Sequence, residues 1–183
     1  FASHYHEEID YYEIWDQPNL YPHWGERYID PTAYTHLLQE AYGAVKEGDP
    51  EALVLTAGLS PNVEEGGRYM SDILFLRKMY EAGAKGYFDI LAIKPYGMWY
   101  EPTDRRLSPL ETNFSRPLLL RDVMLSHGDG DKARCGRWSS GGAPCRLIGQ
   151  GGPLPGPATA KRSRPDAPWR PSSGQGTSGR GWA

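Results

Sequence analysis

The chain has 183 residues, a formal net charge of −3 and a hydrophobic content of 39%. This length allows one domain with a real core, but it falls short of the roughly 250 residues that a closed eight-stranded α/β barrel usually needs. No apolar run approaches the roughly 20 residues of a membrane helix, so the sequence predicts no membrane span.

The first predicted elements are a strand and a long helix. Residues 9–15 are rich in Tyr and Ile and are followed by a turn at Pro18, which indicates a strand. Asp30 is expected to cap a helix that has Pro31 at its first position. Gly48 and Pro50 close this helix. Its buried face is predicted from apolar side chains at helical spacing, at Tyr34, Leu37, Leu38, Ala41, Tyr42 and Val45.

The same alternation then repeats twice. Residues 53–58 form a short apolar run that is typical of a strand in a parallel sheet, and residues 70–80 have helical spacing and end at Gly83. Residues 88–93 indicate a third strand, and a third helix is expected to start at Ser115 and Pro117. Three strands that alternate with three helices predict an α/β fold built from parallel βαβ units.

The composition changes sharply near Lys132. Residues 1–132 contain 12 Lys and Arg and 22 Asp and Glu, whereas residues 133–183 contain 8 basic residues and one acidic residue, giving net charges of −10 and +7. The second segment is rich in Gly, Pro, Ser and Arg and lacks Val, Phe, Tyr, Met and Glu. We therefore predict a domain at residues 1–132 and a disordered tail at residues 133–183. A disulfide between Cys135 and Cys145 is left open.

Residues 13–19 read Glu-Ile-Trp-Asp-Gln-Pro-Asn, at the point where the first strand gives way to a loop. This run resembles the strand-four motif Ile-Trp-Asn-Glu-Pro-Asn of clan A glycoside hydrolases, which are retaining (β/α)8-barrel enzymes. The pattern is close to that of bacterial family 39-like or cellulase-family glycosyl hydrolases. Further matches lie at residues 30–31, 80–89 and 94–97. The resemblance covers about two thirds of the chain and implies a partial TIM barrel with strands four to six, from an enzyme that hydrolyses O-glycosidic bonds in carbohydrate metabolism.

The resemblance also implies that the catalytic machinery is incomplete. A retaining glycosidase needs two carboxyl groups about 5 to 5.5 Å apart. Gln17 stands where the family has its acid/base Glu, and an amide has no titratable proton. Asp16 replaces an Asn that holds the sugar 2-hydroxyl, and Lys94 replaces a His of strand six. Because no in-frame nucleophile is found either, we expect a chain without catalytic activity.

The family pattern places the sugar-binding residues on the loops that follow the strands. Trp15 is assigned to core packing, and strand alternation points Glu13 inward as a paired carboxylate. Glu26, Glu101 and His23 are expected to be exposed loop residues. No metal spacing or phosphate-binding loop is found, so no cofactor is predicted. The implied substrate-binding set is Asp16, Asn19, Trp24, Lys94, Tyr96 and Trp99.

Residues 133–146 can also be interpreted as a coding sequence translated in the wrong frame. Back-translation of residues 133–146 in a shifted frame permits Pro-Val-Trp-Ala-Met-Glu-Phe-Gly-Trp-Gly-Ala-Leu-Pro. This is similar to the strand-seven segment Trp-Ala-Thr-Glu-Phe-Gly-Trp of the same glycosidases, whose Glu is the nucleophile. We therefore expect a frameshift after Lys132. Because Phe1 opens the chain and no signal-peptide pattern follows it, we also expect a truncated start and assign no compartment.

Two alternatives to an inactive glycosidase fragment stay open. The first is a non-catalytic carbohydrate-binding remnant that uses Gln17, Asn19, Trp24 and Trp99. The second is a nucleic-acid or protein-interaction role of the basic tail, in which Arg neutralises phosphate and Trp169 or Trp182 stacks on a base. The tail lacks Arg-Gly-Gly repeats and dense basic clusters, which makes nucleic acid the less favoured partner.

Overall fold

The computed structural model describes residues 1–136 and 146–147. They form three helices and seven short strands in a mixed α/β arrangement. The elements in chain order are β1 (Tyr11–Glu13), α1 (Pro31–Gly48), β2 (Leu53–Leu55), β3 (Glu65–Gly66), β4 (Tyr69–Met70), α2 (Asp72–Glu81), β5 (Ile90–Ile93), α3 (Pro117–Ser126), β6 (Ala133–Gly136) and β7 (Arg146–Leu147). Among these described residues, no helix combines the length and the apolar character of a membrane span.

The main sheet has five strands in the order β1-β2-β5-β6-β7. The first four run parallel, in chain order; Tyr11 lies opposite Leu53 in the β1–β2 pair, and Ile93 lies opposite Gly136 in the β5–β6 pair. β7 pairs antiparallel with β6, and β3 and β4 form a separate antiparallel hairpin. The prediction of parallel βαβ units is confirmed for β1, β2, β5 and β6.

The sheet extends beyond the predicted domain boundary. The prediction that the chain is disordered from residue 133 is wrong for β6 and β7, because both strands pair in the sheet. The rest of the predicted tail, the possible Cys135–Cys145 disulfide and the two Trp residues of the nucleic-acid hypothesis lie outside the described side chains. The first strand is shorter than predicted, since Trp15 has a φ of 76° and leaves the extended conformation.

The helices follow their predicted start signals closely in two cases. In α1, Pro31 is the first residue and Asp30 Oδ1 accepts a hydrogen bond from Ala33 N at 2.9 Å, as an N-cap should. α3 begins at Pro117 as expected. α2 begins two residues later than predicted, because Met70 pairs with Glu65 in the β3–β4 hairpin instead of joining the helix.

The two faces of the sheet differ in what covers them. Val54, Leu91 and Ile93 pack with the helices in the main core, which also contains Tyr34 of α1. The alternate strand residues form a second cluster made only of strand side chains, namely Leu55, Ile90, Ala92 and Ala133, with Tyr11 and Leu53 beside it. Strand alternation places Glu13 and Lys94 on this second face, at the carboxyl ends of β1 and β5.

Candidate functional site

The candidate site lies at the edge of the sheet where the parallel strands end. Asp16 and Gln17 follow β1, Gly58 follows β2 and Lys94 follows β5. An isolated parallel bridge joins Asp16 to Gly58, and a second bridge joins Leu59 to Ile93. Ligand sites of parallel α/β sheets form at this edge, because loops from neighbouring strands meet there.

An ion pair joins the two outer segments of the site. Lys94 Nζ lies 2.6 Å from Asp16 Oδ1, and the lysine side chain is 5% exposed whereas the aspartate is 54% exposed. Gln17 Nε2 donates a hydrogen bond to the other oxygen, Asp16 Oδ2, at 3.3 Å. Both oxygens of Asp16 are therefore engaged, and its charge is balanced by the buried ammonium.

Glu13 and Gly58 bring the backbone of β2 close to this pair. Glu13 Oε1 accepts a hydrogen bond from Gly58 N at 3.0 Å, which confirms the prediction of a paired strand carboxylate. A Cβ added at Gly58 would lie 3.1 Å from Lys94 Cε and 3.2 Å from Glu13 Oε1. Both contacts are tighter than usual, so an alanine at this position would require the lysine stem or the glutamate to move by a few tenths of an ångström.

The backbone around Asp16 is strained. Trp15 and Gln17 have φ values of 76° and 49°, in the left-handed region that residues with a Cβ rarely occupy. Such residues typically cost about 1 to 3 kcal/mol each and are concentrated at functional sites. Trp15 Nε1 donates to the carbonyl of His23 at 2.8 Å and so helps to hold the turn. The strain supports a functional interpretation of this segment.

The hydroxyl of Tyr34, on α1, joins the segments that follow β1 and β2 below the site. It donates to the carbonyl of Ile14 at 3.1 Å and accepts from the amide of Ala57 at 2.6 Å, so that it joins β1 to β2. Burial raises the pKa of Tyr34 well above its usual value, and the nearby charge of Glu13 raises it further. The hydroxyl is therefore neutral at physiological pH and acts as a fixed bridge.

Two predicted sugar-binding residues belong to the fold instead. Asn19 is fully buried, and its side-chain amide donates to the carbonyls of Ser60 and Met70 and accepts from Ser60 N at 3.0 Å. The prediction that it contacts sugar is wrong, because its side chain is used up by backbone partners. Trp24 is half-buried, with its ring 5.7 Å from Trp15 and 6.1 Å from Tyr34 in edge-to-face contacts.

Trp15 is more exposed than the sequence predicts, whereas Asn19 is more buried. The sequence predicts Trp15 in the core, but its side chain is 50% exposed, at a residue whose φ of 76° lies in the left-handed region. Glu26, His23 and Glu101 are exposed loop residues as predicted.

The remaining predicted residues lie on the long loop between β5 and α3. Tyr96 is half-buried and shares a cavity of about 10 Å³ with Lys94, Asp72 and Arg116. Trp99 is almost completely exposed and lines a different cavity, of about 340 Å³. The structure thus brings Asp16, Gln17 and Lys94 together, whereas Trp99 lines a cavity to which none of these three residues contributes.

Arg116 is a residue of this region that sequence reasoning missed. It donates to Asp72 at the start of α2 and to the carbonyls of Pro109, Glu111 and Asn62. These contacts join the loop between β5 and α3 to the start of α2 and to the segment that precedes the β3–β4 hairpin. Nothing in the sequence marks the pair, because Arg116 and Asp72 are 44 positions apart and belong to different elements.

The side chains at the site limit the proton transfer that it could support. It presents an ion-paired carboxylate at Asp16, a hydrogen-bonded carboxylate at Glu13 and an amide at Gln17, which has no proton to transfer. The described residues contain no group of three His, Cys, Asp or Glu side chains that would hold a metal ion.

Comparisons of the chain with protein-family models, with curated proteins and with solved structures give no match.

Proposed function

We propose that this chain is part of a glycosidase-type (β/α)8 barrel that has lost the ability to cleave glycosidic bonds. The observation that carries the proposal is the meeting of Asp16 and Gln17 with Lys94 across the sheet edge, at 2.6 Å between Lys94 Nζ and Asp16 Oδ1. In the clan A motifs that the chain resembles, these three positions hold Asn, Glu and His. On this proposal β1, β2 and β5 correspond to strands four, five and six.

The arrangement of the sheet supports this assignment. Four parallel strands follow one another in chain order, and the helices pack against one face. A barrel has the same order, with helices outside and a strand-lined interior. The second face, with its cluster of strand side chains, matches such an interior. β6 starts at Ala133 and pairs parallel with β5, so on this proposal it corresponds to the next barrel strand.

The expected loss of activity follows from the missing proton donor. General acid/base assistance is commonly worth about 10²- to 10⁴-fold in rate, and covalent catalysis needs a second, attacking carboxylate. Asp16 is ion-paired with Lys94, and Glu13 accepts a backbone hydrogen bond from Gly58. Neither side chain replaces an acid at position 17, so the chain should leave glycosidic bonds intact.

One test measures hydrolysis directly. The purified chain is incubated with a panel of aryl glycosides, and release of the aryl group is followed over hours. We expect no release above the level of buffer alone. Turnover that disappears in Asp16→Asn or Glu13→Gln, but persists in Glu26→Gln, would show that the site is catalytic and would overturn the assignment of an inactive chain.

A second test concerns the family itself. The nucleotides that encode Lys132 and the residues after it are read in all three frames. A single insertion or deletion should restore a strand that carries Glu in a Trp-Ala-x-Glu-Phe-Gly-Trp context. If no frame contains such a strand, the expectation of a frameshift after Lys132 fails.

A second candidate function is glycan binding without cleavage. The exposed Trp99 and its cavity favour it, since flat apolar faces near polar groups are what sugar rings bind. Of the residues expected to bind sugar in this way, Gln17 remains accessible, as does its neighbour Asp16, whereas Asn19 does not. The nucleic-acid alternative depends on residues outside the described part of the chain.

A further inference from the structure

We propose that the exposed side of α3 associates with the same side of a second copy of this chain and forms a weak two-fold dimer. We call this side the α3 stripe; it consists of Leu118, Arg121, Asp122 and Leu125. The proposal concerns association of the chain with itself, so it does not depend on whether the chain binds or cleaves sugars. It rests on the exposure of the two leucines and on the order of the four residues along the helix.

One side of α3 is left in contact with solvent. α2 packs against both α1 and α3, so α3 is the last helix of this layer among the described residues. The core side of α3 carries the buried residues Pro117, Leu120, Val123 and Met124. Leu118 and Leu125 lie on another side of the helix and are 49% and 54% exposed. An apolar surface of α3 therefore remains uncovered.

The two exposed leucines are aligned along the helix. They are seven residues apart, which is close to two turns of 3.6 residues, so both side chains leave the helix in nearly the same direction. Arg121 and Asp122 follow Leu118 by three and four residues and belong to the same side. Single exposed leucines are ordinary, but here an aligned pair encloses one cation and one anion. This order of residues is complementary to itself.

A two-fold axis between positions 121 and 122 brings the complementary residues together. When two copies of α3 pack antiparallel about this axis, Leu118 of one copy faces Leu125 of the second copy. In the same register Arg121 faces Asp122 of the second copy, and this pair occurs twice. A parallel arrangement would place like charges opposite each other at both positions. Charge complementarity therefore favours the antiparallel dimer.

The two charged side chains are available for this contact. Arg121 Nη1 donates to the carbonyl of Lys132 at 3.4 Å, and Nη2 donates to the carbonyl of Gly130. These bonds use two of the five N–H groups of the guanidinium and leave three for a carboxylate of the second copy. Asp122 is exposed, and none of the hydrogen bonds and ion pairs among the described residues involves it.

The size of the α3 stripe predicts a weak dimer. α3 has 10 residues and is about 15 Å long, so two such helices cover less surface than the roughly 1,200 to 2,000 Å² of a stable complex. Leu110, which is 76% exposed, adds apolar surface near the start of the helix, because Arg116 binds the carbonyls on both sides of it. We therefore expect single chains at low concentration and dimers at high concentration.

Sedimentation velocity tests the association with the full chain. The protein is measured from about 1 μM to about 1 mM, which spans the dissociation constants of weak complexes. The weight-average mass should rise from that of one chain towards that of two, and no further, because a two-fold contact closes on itself. A mass that stays at one chain over the whole range overturns the proposal.

Leu125→Glu tests the apolar part of the contact. It places a carboxylate opposite Leu118 of the second copy, so the concentration of half-association should rise about tenfold or more. Leu37→Glu is the matched control, because Leu37 is an exposed leucine of α1 and the change in net charge is the same. It should leave association unchanged. Equal loss in both variants, or no loss in Leu125→Glu, excludes the α3 stripe.

Asp122→Arg tests the charged part of the contact. It places cations opposite each other at both positions of the dimer and should weaken association. Glu47→Arg changes the net charge by the same amount at an exposed position of α1 and should have no effect. Full association of Asp122→Arg would exclude the proposed register.

A mixture of two variants tests the antiparallel orientation. Leu118→Lys and Leu125→Glu should each associate poorly alone. In their mixture the new lysine of one chain faces the new glutamate of the other, while the second leucine pair is intact, so association should recover. A parallel pair would bring neither contact together. A mixture that associates no better than its components overturns the two-fold antiparallel dimer.

Discussion

The Arg116 guanidinium donates to both carboxylate oxygens of Asp72, with distances of 2.7 to 3.1 Å and with both side chains only 2% exposed. The pair joins the start of α3 to the start of α2. Three backbone carbonyls accept the other Arg116 donors, so the guanidinium is satisfied although it is buried. This cluster determines how the β5–α3 loop sits against the sheet.

Arg116→Ala should reduce the free energy of unfolding by about 3 to 5 kcal/mol, because it leaves the Asp72 carboxylate buried without its partner. Urea denaturation followed by circular dichroism measures the change. Arg105→Ala, at an exposed position of the same loop, is the matched control and should stay within about 0.5 kcal/mol of the unsubstituted chain. A loss below about 1 kcal/mol in Arg116→Ala would contradict the importance of the pair.

Tyr34→Phe tests the hydroxyl that joins β1 to β2. The substitution leaves the Ile14 carbonyl and the Ala57 amide without this partner in a buried setting, so stability should fall by about 1 to 3 kcal/mol. Tyr28→Phe removes a hydroxyl from a well-exposed ring and should have almost no effect. Equal unfolding midpoints for the two variants would show that the hydroxyl bridge contributes nothing.

Two glycines should respond to alanine in opposite directions. A Cβ at Gly97 would overlap the Phe114 ring, so Gly97→Ala should destabilise the chain by about 1 to 3 kcal/mol. Gly43 lies inside α1 with no atom within 4 Å of an added Cβ, and Gly43→Ala should stabilise it by about 0.5 to 1 kcal/mol. Thermal unfolding of both variants measures the difference. The same sign of change in both would contradict the packing at Gly97.

The sequence predicted the elements whose signals are local. Asp30 with Pro31 marked the start of α1, and Pro117 marked the start of α3, because caps and proline act on the backbone next to them. The β3–β4 hairpin was missed, since each strand has only two residues and the pattern of Met70 also fits a helix. The end of β1 was predicted too late, because the left-handed turn at Trp15 has no clear sequence signal.

The sequence predicted part of the candidate site, because some of its residues carry local signals. Asp16 and Gln17 belong to one motif at the end of β1, and Lys94 follows β5. The parallel strand order brings the ends of these two strands to the same side of the sheet. The direct Lys94 to Asp16 ion pair depends on side-chain geometry that a linear pattern does not encode. Asn19 was misassigned because an amide in a loop motif looks the same whether it binds ligand or backbone.

Acid titration should reveal the pair formed by Asp104 and Arg106. Hydrogen bonds from the Arg106 side chain, and then from its backbone amide, lower the pKa of Asp104 to about 2. The unfolded value is about 3.9, so this carboxylate favours the folded loop above about pH 4 and loses that contribution as the pH falls through about 2. Carbon-13 NMR of the Asp104 carboxyl carbon measures the midpoint. In Arg106→Gln the midpoint should rise towards about 3.9, whereas Arg105→Gln should leave it unchanged, and a midpoint near about 4 in the unsubstituted chain would exclude the pair in solution.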